Sequence, residues 1–118
     1  MNSVDQVLSD IKSLKIQGAT NVALALLDGL EKTLADTPTI SIKELQEIAT
    51  RLAYARPTEP LAQNALRYIF TDQRQDVRAI KKKVATYKSF IIDAKIAITE
   101  HGSALMHDGA TYLTHCHA

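Results

Sequence analysis

Apolar residues recur along most of the chain at the three- and four-residue steps that gather side chains on one face of a helix. Val4, Val7, Leu8, Ile11 and Leu14 predict an amphipathic helix over residues 3–15. Gln17, Gly18, Ala19, Thr20 and Asn21 interrupt it. The glycine permits a chain reversal, and Thr20 or a neighbour can cap the next helix. That second helix is expected over 20–35, with Val22, Leu26 and Leu30 on one face and Ala23, Leu27 and Leu34 beside it. A helix apolar over so much of its circumference belongs at the centre of a bundle.

Asp36-Thr37-Pro38-Thr39 reads as a turn, and Ser41 with Glu44 as a capping box. In that motif the hydroxyl and the carboxylate each satisfy a free N–H of the first helical turn. Ile42, Leu45, Ile48, Ala49 and Leu52 form the stripe of a third helix. Pro57 biases Arg56 away from helical geometry and closes this helix near Ala55. Pro60 suits the first turn of a short helix reaching about Phe70. Val77, Ile80, Val84, Tyr87, Ile91, Ala94 and Ile98 predict a long helix from about residue 74 towards Met106, with Gly102 as the place for a kink. Lys81-Lys82-Lys83 reads as a solvated face of it. His107-Asp108-Gly109 signals a turn, and residues 110–116 read as one short strand, which needs a partner to be stable.

Composition fits this pattern. Of 118 residues 46% are hydrophobic and 23% charged, a globular balance that excludes a disordered chain. Aromatics are scarce at 5%, with no Trp, so the core must be aliphatic. The charges nearly cancel, 14 basic against 13 acidic for a net +1, which gives no general attraction to nucleic acid or to an anionic membrane. No stretch approaches the roughly 18 uninterrupted apolar residues of a membrane span. Met1 to Asp10 lacks the basic cluster and apolar run of a signal peptide. A single cysteine allows no internal disulfide and fits a reducing compartment, so a cytoplasmic location is expected.

Three places could carry chemistry. His115-Cys116-His117 holds three metal-ligand types, but along a strand His115 and His117 share one face and Cys116 takes the other, so they cannot close on one ion. No metal site is expected. Cys116 alone reads as a small buried hydrophobe unless a partner lowers its pKa. Gly18 stands where a helix N-terminus would favour an anion, and Arg56 sits in a proline turn where its planar guanidinium suits phosphate or carboxylate. The plainer readings are a helix–helix turn and a surface ion pair.

In this order the pieces resemble a known family. Ile16-Gln17-Gly18-Ala19, then Arg56-Pro57-Thr58 with Asn64-Ala65-Leu66-Arg67-Tyr68, then Asp108 to His117 are similar to the helical N-terminal domain of initiation factor 2B-like proteins. That family includes regulatory subunits of the translation factor and two sugar-phosphate isomerases, for methylthioribose 1-phosphate and ribose 1,5-bisphosphate. The resemblance implies a mainly all-α five-helix domain over 1–109. It implies that the strand of 110–118 enters a second, Rossmann-like domain that supplies a catalytic Asp, most ligand contacts and the main dimer surface. It further implies Cys116 as the catalytic acid or base of aldose–ketose isomerisation. Gln17, Gly18, Ala19, Arg56 and His117 would hold a phosphorylated sugar or another small anion, with no cofactor. The isomerases carry Arg where this chain has Gln17. Asn64 to Tyr68 is closest to the ribose 1,5-bisphosphate enzymes. The isolated chain is expected to be inactive. The alternative it implies is a regulatory module like the factor's alpha subunit, working as a homo-oligomer or with a partner subunit.

Overall fold

Five helices, in chain order, make up the described residues 3–115 of this computed structural model: α1 (Ser3–Lys12), α2 (Ala19–Asp36), α3 (Ile42–Ala53), α4 (Pro60–Phe70) and α5 (Val77–Ser103). The bundle is all-α, as its periodicity predicts. α2 is the hub and packs against each of the other four. Its Val22, Ala23, Leu26, Leu27 and Leu30 are completely buried and meet Ile11, Leu45, Leu52, Ile69, Ile80 and Val84 in one aliphatic core. Each of the Val, Leu and Ile side chains contributes roughly 1.5–3 kcal/mol by leaving water. Gly29 lets α2 approach α3 closely, since a Cβ there would lie 3.2 Å from Leu52 Cδ1.

α1 stops earlier than its pattern. Leu14 has φ 65°, and its N–H donates to the Ile11 carbonyl at 3.3 Å while that of Ile16 donates to Asp10 at 3.0 Å. A left-handed residue after the last turn is a common helix stop. The reversal throws Leu14 outward, 48% exposed, so it is not part of the buried stripe. α2 has Gly18 as its N-cap, with no side-chain hydrogen bond, so a neighbour and not Thr20 takes the cap position. At α3 the capping box forms in full: the Glu44 N–H donates to Ser41 Oγ at 3.2 Å, and the Ser41 N–H to Glu44 Oε2 at 3.0 Å. The Ser41 hydrogen bonds, hydroxyl first and N–H second, hold the Glu44 carboxyl below its ordinary pKa.

Between α4 and α5 the polar residues are spent on ends. The Thr71 hydroxyl donates to the Arg67 carbonyl, and the buried Gln75 amide to that of Ile69. Asp76 caps α5 by accepting from the Ala79 N–H at 2.8 Å. α5 therefore begins at Val77, a few residues beyond the start its periodicity suggests. Lys88 fastens it to α2, with Nζ 2.6 Å from Asp28 Oδ1 and 2.8 Å from Glu31 Oε2. Hydrogen bonds to Asp28 first and Glu31 second push the Lys88 pKa up to about 12.

Ile80, Val84 and Ile91 of α5 are buried, but no described residue after Ile91 is. Helical geometry runs through Gly102 to Ser103, and Ile92, Ile96 and Ile98 lie exposed, Ile98 at 71%. At about 1.5 Å per residue α5 is about 40 Å long. With the exposed residues that follow it, the radius of gyration is 16.3 Å, against about 13.5 Å for a compact domain of this length.

The strand expected after the turn does not form in residues 110–115. Gly109, at φ 79°, completes the turn, and the Ala110 N–H reaches the His107 carbonyl at 3.4 Å. Beyond it, Tyr112 Oη accepts from the His107 N–H at 2.7 Å. A strand is defined by ladder bonds to a neighbour, and the described residues offer none. Cys116 and His117 lie outside the described residues. No described helix is long and apolar enough to cross a membrane.

Candidate functional site: a cleft between the Gly18 turn, the Arg56 turn and α5

Arg56 is held by its own turn. Its carbonyl accepts from the Glu59 N–H at 3.1 Å, with Pro57 fixing the second position. From α4, Gln63 Nε2 donates to the Pro57 carbonyl at 2.9 Å and pins that turn to the bundle. Arg56 as a residue is half-buried, and its guanidinium makes no hydrogen bond or ion pair among the described residues.

The second wall is the start of α2. Gly18 has φ 85° and ψ 144°, a conformation that L side chains rarely adopt. Its carbonyl accepts the first bond of the helix, from the Val22 N–H at 3.0 Å. The first-turn N–H groups are left without a side-chain cap, at the positive end of the helix dipole. The Gln17 carbonyl accepts from Asn21 Nδ2 at 3.0 Å, and the exposed Gln17 lines the cleft.

α5 forms the third wall. Ile91, Ala94 and Ile98 lie at three- and four-residue spacing along it, flanked by Phe90, Lys95 and Thr99. Together these elements enclose a cleft of about 800 Å³. Gln17, Gly18 and Arg56, separated by up to 39 positions, line one cavity. Ala19, half-buried as the first residue of α2, does not line it. The Asn64–Tyr68 stretch points elsewhere: Asn64 Oδ1 accepts from Arg67 Nη2, and Tyr68 packs on Tyr87 with ring centres 5.1 Å apart. Burial raises the Tyr87 pKa. Lys81, Lys82 and Lys83 do not line the cleft. Among the described residues no group of three His, Cys, Asp or Glu side chains could hold a metal ion.

Three lining or supporting groups escaped the sequence reading. Lys95 is one of several lysines on an amphipathic helix, and Glu59 is one more polar residue near a proline. Gln63 matters only through a bond to a carbonyl six residues back. Arg56 and Lys95 against Glu59 leave the lining with one net positive charge, and none of the three side chains has an ion-pair partner among the described residues.

Residues 15–118 match the initiation factor 2 subunit family. The chain belongs to that family. Its curated relatives include the 5-deoxyribose 1-phosphate isomerase of Moorella thermoacetica, 33% identical over 131 aligned residues, covering 98% of this chain and 36% of the relative. The methylthioribose-1-phosphate isomerase of Thermotoga maritima is 29% identical, with 97% of this chain and 35% of the relative covered. The ribose 1,5-bisphosphate isomerase of Haloterrigena turkmenica is 25% identical, with 92% and 36% covered. The chain thus spans about a third of the length of the family members it matches. No solved structure matches it.

Proposed function

We propose that the chain is the N-terminal part of a sugar-phosphate aldose–ketose isomerase, and that its cleft takes the phosphate end of a ribose-type sugar. The observation that carries this reading is Arg56, which lines a cleft shared with the start of α2, where no side chain caps the helix, and whose guanidinium has no partner among the described residues. A phosphate would supply the guanidinium with an opposite charge and paired acceptors. The relatives are named for isomerases of sugar 1-phosphates or of a 1,5-bisphosphate, all of which carry a phosphate on C1.

In this reading Arg56, Gly18 and Gln17 orient the sugar, and Cys116, with His117 beside it, moves the proton. Aldose-to-ketose isomerisation shifts a hydrogen between neighbouring carbons, so a positioned acid or base suffices. Residues 110–118 would lead into a second domain that completes the site, and the isolated chain would not turn over substrate. For the sugar, the similarity of Asn64–Tyr68 supports ribose 1,5-bisphosphate. The apolar wall of Leu61, Phe90, Ile91 and Ile98 supports a second reading, a ribose 1-phosphate with a less polar C5 end. The exposed Ile92, Ile96 and Ile98 also support the alternative of a regulatory module that works through protein contacts.

The test joins this chain to the part of the Moorella thermoacetica relative that it does not cover. The folded chimera is offered ribose 1,5-bisphosphate and 5-deoxyribose 1-phosphate. Ketose phosphate should form from one of them and vanish with Cys116→Ala. A cooperatively folding chimera without activity, or activity that survives Cys116→Ala, overturns the isomerase reading.

A further inference from the structure

We propose that Lys95 is a second anion anchor in the cleft, reaching from α5 towards the phosphate that Arg56 holds from the opposite wall. The proposal rests on the reading of the cleft as a phosphate site. Lys95 lines the same cavity as Arg56, and its neighbours Ile91, Ala94, Ile98 and Thr99 carry α5 along that wall. Its stem can therefore lie on apolar surface while the ammonium stays wet. The contrast with Lys88, two helical turns earlier, is direct. Lys88 is held by Asp28 and Glu31, whereas the Lys95 ammonium makes no hydrogen bond or ion pair among the described residues.

Glu59, the one carboxylate among the described lining residues, pairs with neither cation. The lining keeps one net positive charge. A phosphomonoester, with a charge of about −1.5 to −2 at neutral pH, can engage both cations, which a monoanion does less well. The two side chains also divide the work by shape: the guanidinium offers a planar fork, the ammonium a compact point charge.

The test is a titration of the 118-residue chain with inorganic phosphate, followed by the backbone amide NMR shifts of Gln17 and Gly18. Chloride holds the ionic strength constant. Lys95→Ala should weaken binding about 5- to 10-fold, Lys95→Arg should stay within about twofold of the parent, and Lys81→Ala should have no effect. An exposed helical Lys→Ala change leaves the fold intact, and unchanged amide dispersion checks this. Ribose 5-phosphate, as the sugar-bearing arm, should shift the same amides and show the same loss. Parental affinity for both ligands in Lys95→Ala, with binding lost in Arg56→Ala, overturns the role of Lys95 and leaves the cleft reading intact. The absence of any saturable shift in the parent overturns both.

Discussion

α5 carries one periodic apolar stripe, yet its two halves live in different surroundings. From Ile80 to Ile91 the stripe is buried against α2 and α4, and Lys88 fastens it to two carboxylates of α2. From Ile92 onward the same kind of residue stands in water, and Lys95, unpaired among the described residues, faces the cleft. Periodicity decides which face of a helix is apolar. Whether that face is covered depends on what else is present to pack on it. The proximal half belongs to the fold, and the distal half is where ligand and partner chemistry would act.

The largest expected effect lies in the proximal half. Ile80→Ala should cost about 2–5 kcal/mol, because the site is completely enclosed, while Ile98→Ala should stay within about 0.5 kcal/mol. Urea unfolding of both variants checks the pair, and equal losses would erase the distinction between the halves. Next comes Gly18→Ala. Nothing lies within 4 Å of the added Cβ, so the cost of about 1–3 kcal/mol would come from backbone conformation alone. The same variant should lose phosphate affinity, which a purely structural glycine would not.

A smaller effect attaches to the Lys88 clamp. Its folded-state pKa lies above the ordinary lysine value, so its contribution is fully present below about pH 10.5 and is lost as pH rises through about 12. With both carboxylate partners more than a third exposed, screening reduces it to about 1 kcal/mol. Lys88→Met should remove that alkaline loss, measured by unfolding at pH 9 and pH 12. Ser41→Ala should cost about 1 kcal/mol by removing the α3 cap. The Glu44 pKa is depressed, so that part of the box holds above its unfolded value and fails as pH falls through the folded one. The gap between the urea midpoints of the parent and Ser41→Ala should narrow in acid, while the part due to the Glu44 N–H bond to the Ser41 hydroxyl remains.

Much of this fold can be read from local signals. The Ser41 box, the Pro57 and Pro60 boundaries and the apolar circumference of α2 each act within a turn or two of the residues that encode them. The features that stayed hidden depend on distant or missing partners. Leu14 reads as core until the left-handed reversal turns it outward. Residues 110–115 have strand composition but, among the described residues, no edge to join. At the cleft, Gly18 and Arg56 are recognisable because their backbone chemistry is unusual, whereas Lys95 and Gln63 become informative only when the bundle sets them beside those turns. Ala19, next to Gly18 in sequence, faces away from the cavity because a helix rotates each successive residue by about 100°.

Arg56 is the anchor on which the sugar-phosphate reading depends, and the Moorella chimera measures that role most directly. Its kcat/KM for the sugar phosphate that it accepts should fall about 100-fold in Arg56→Ala, the loss expected for a charge-assisted, half-buried contact, with unfolding unchanged. A kcat/KM that survives the substitution would contradict that role.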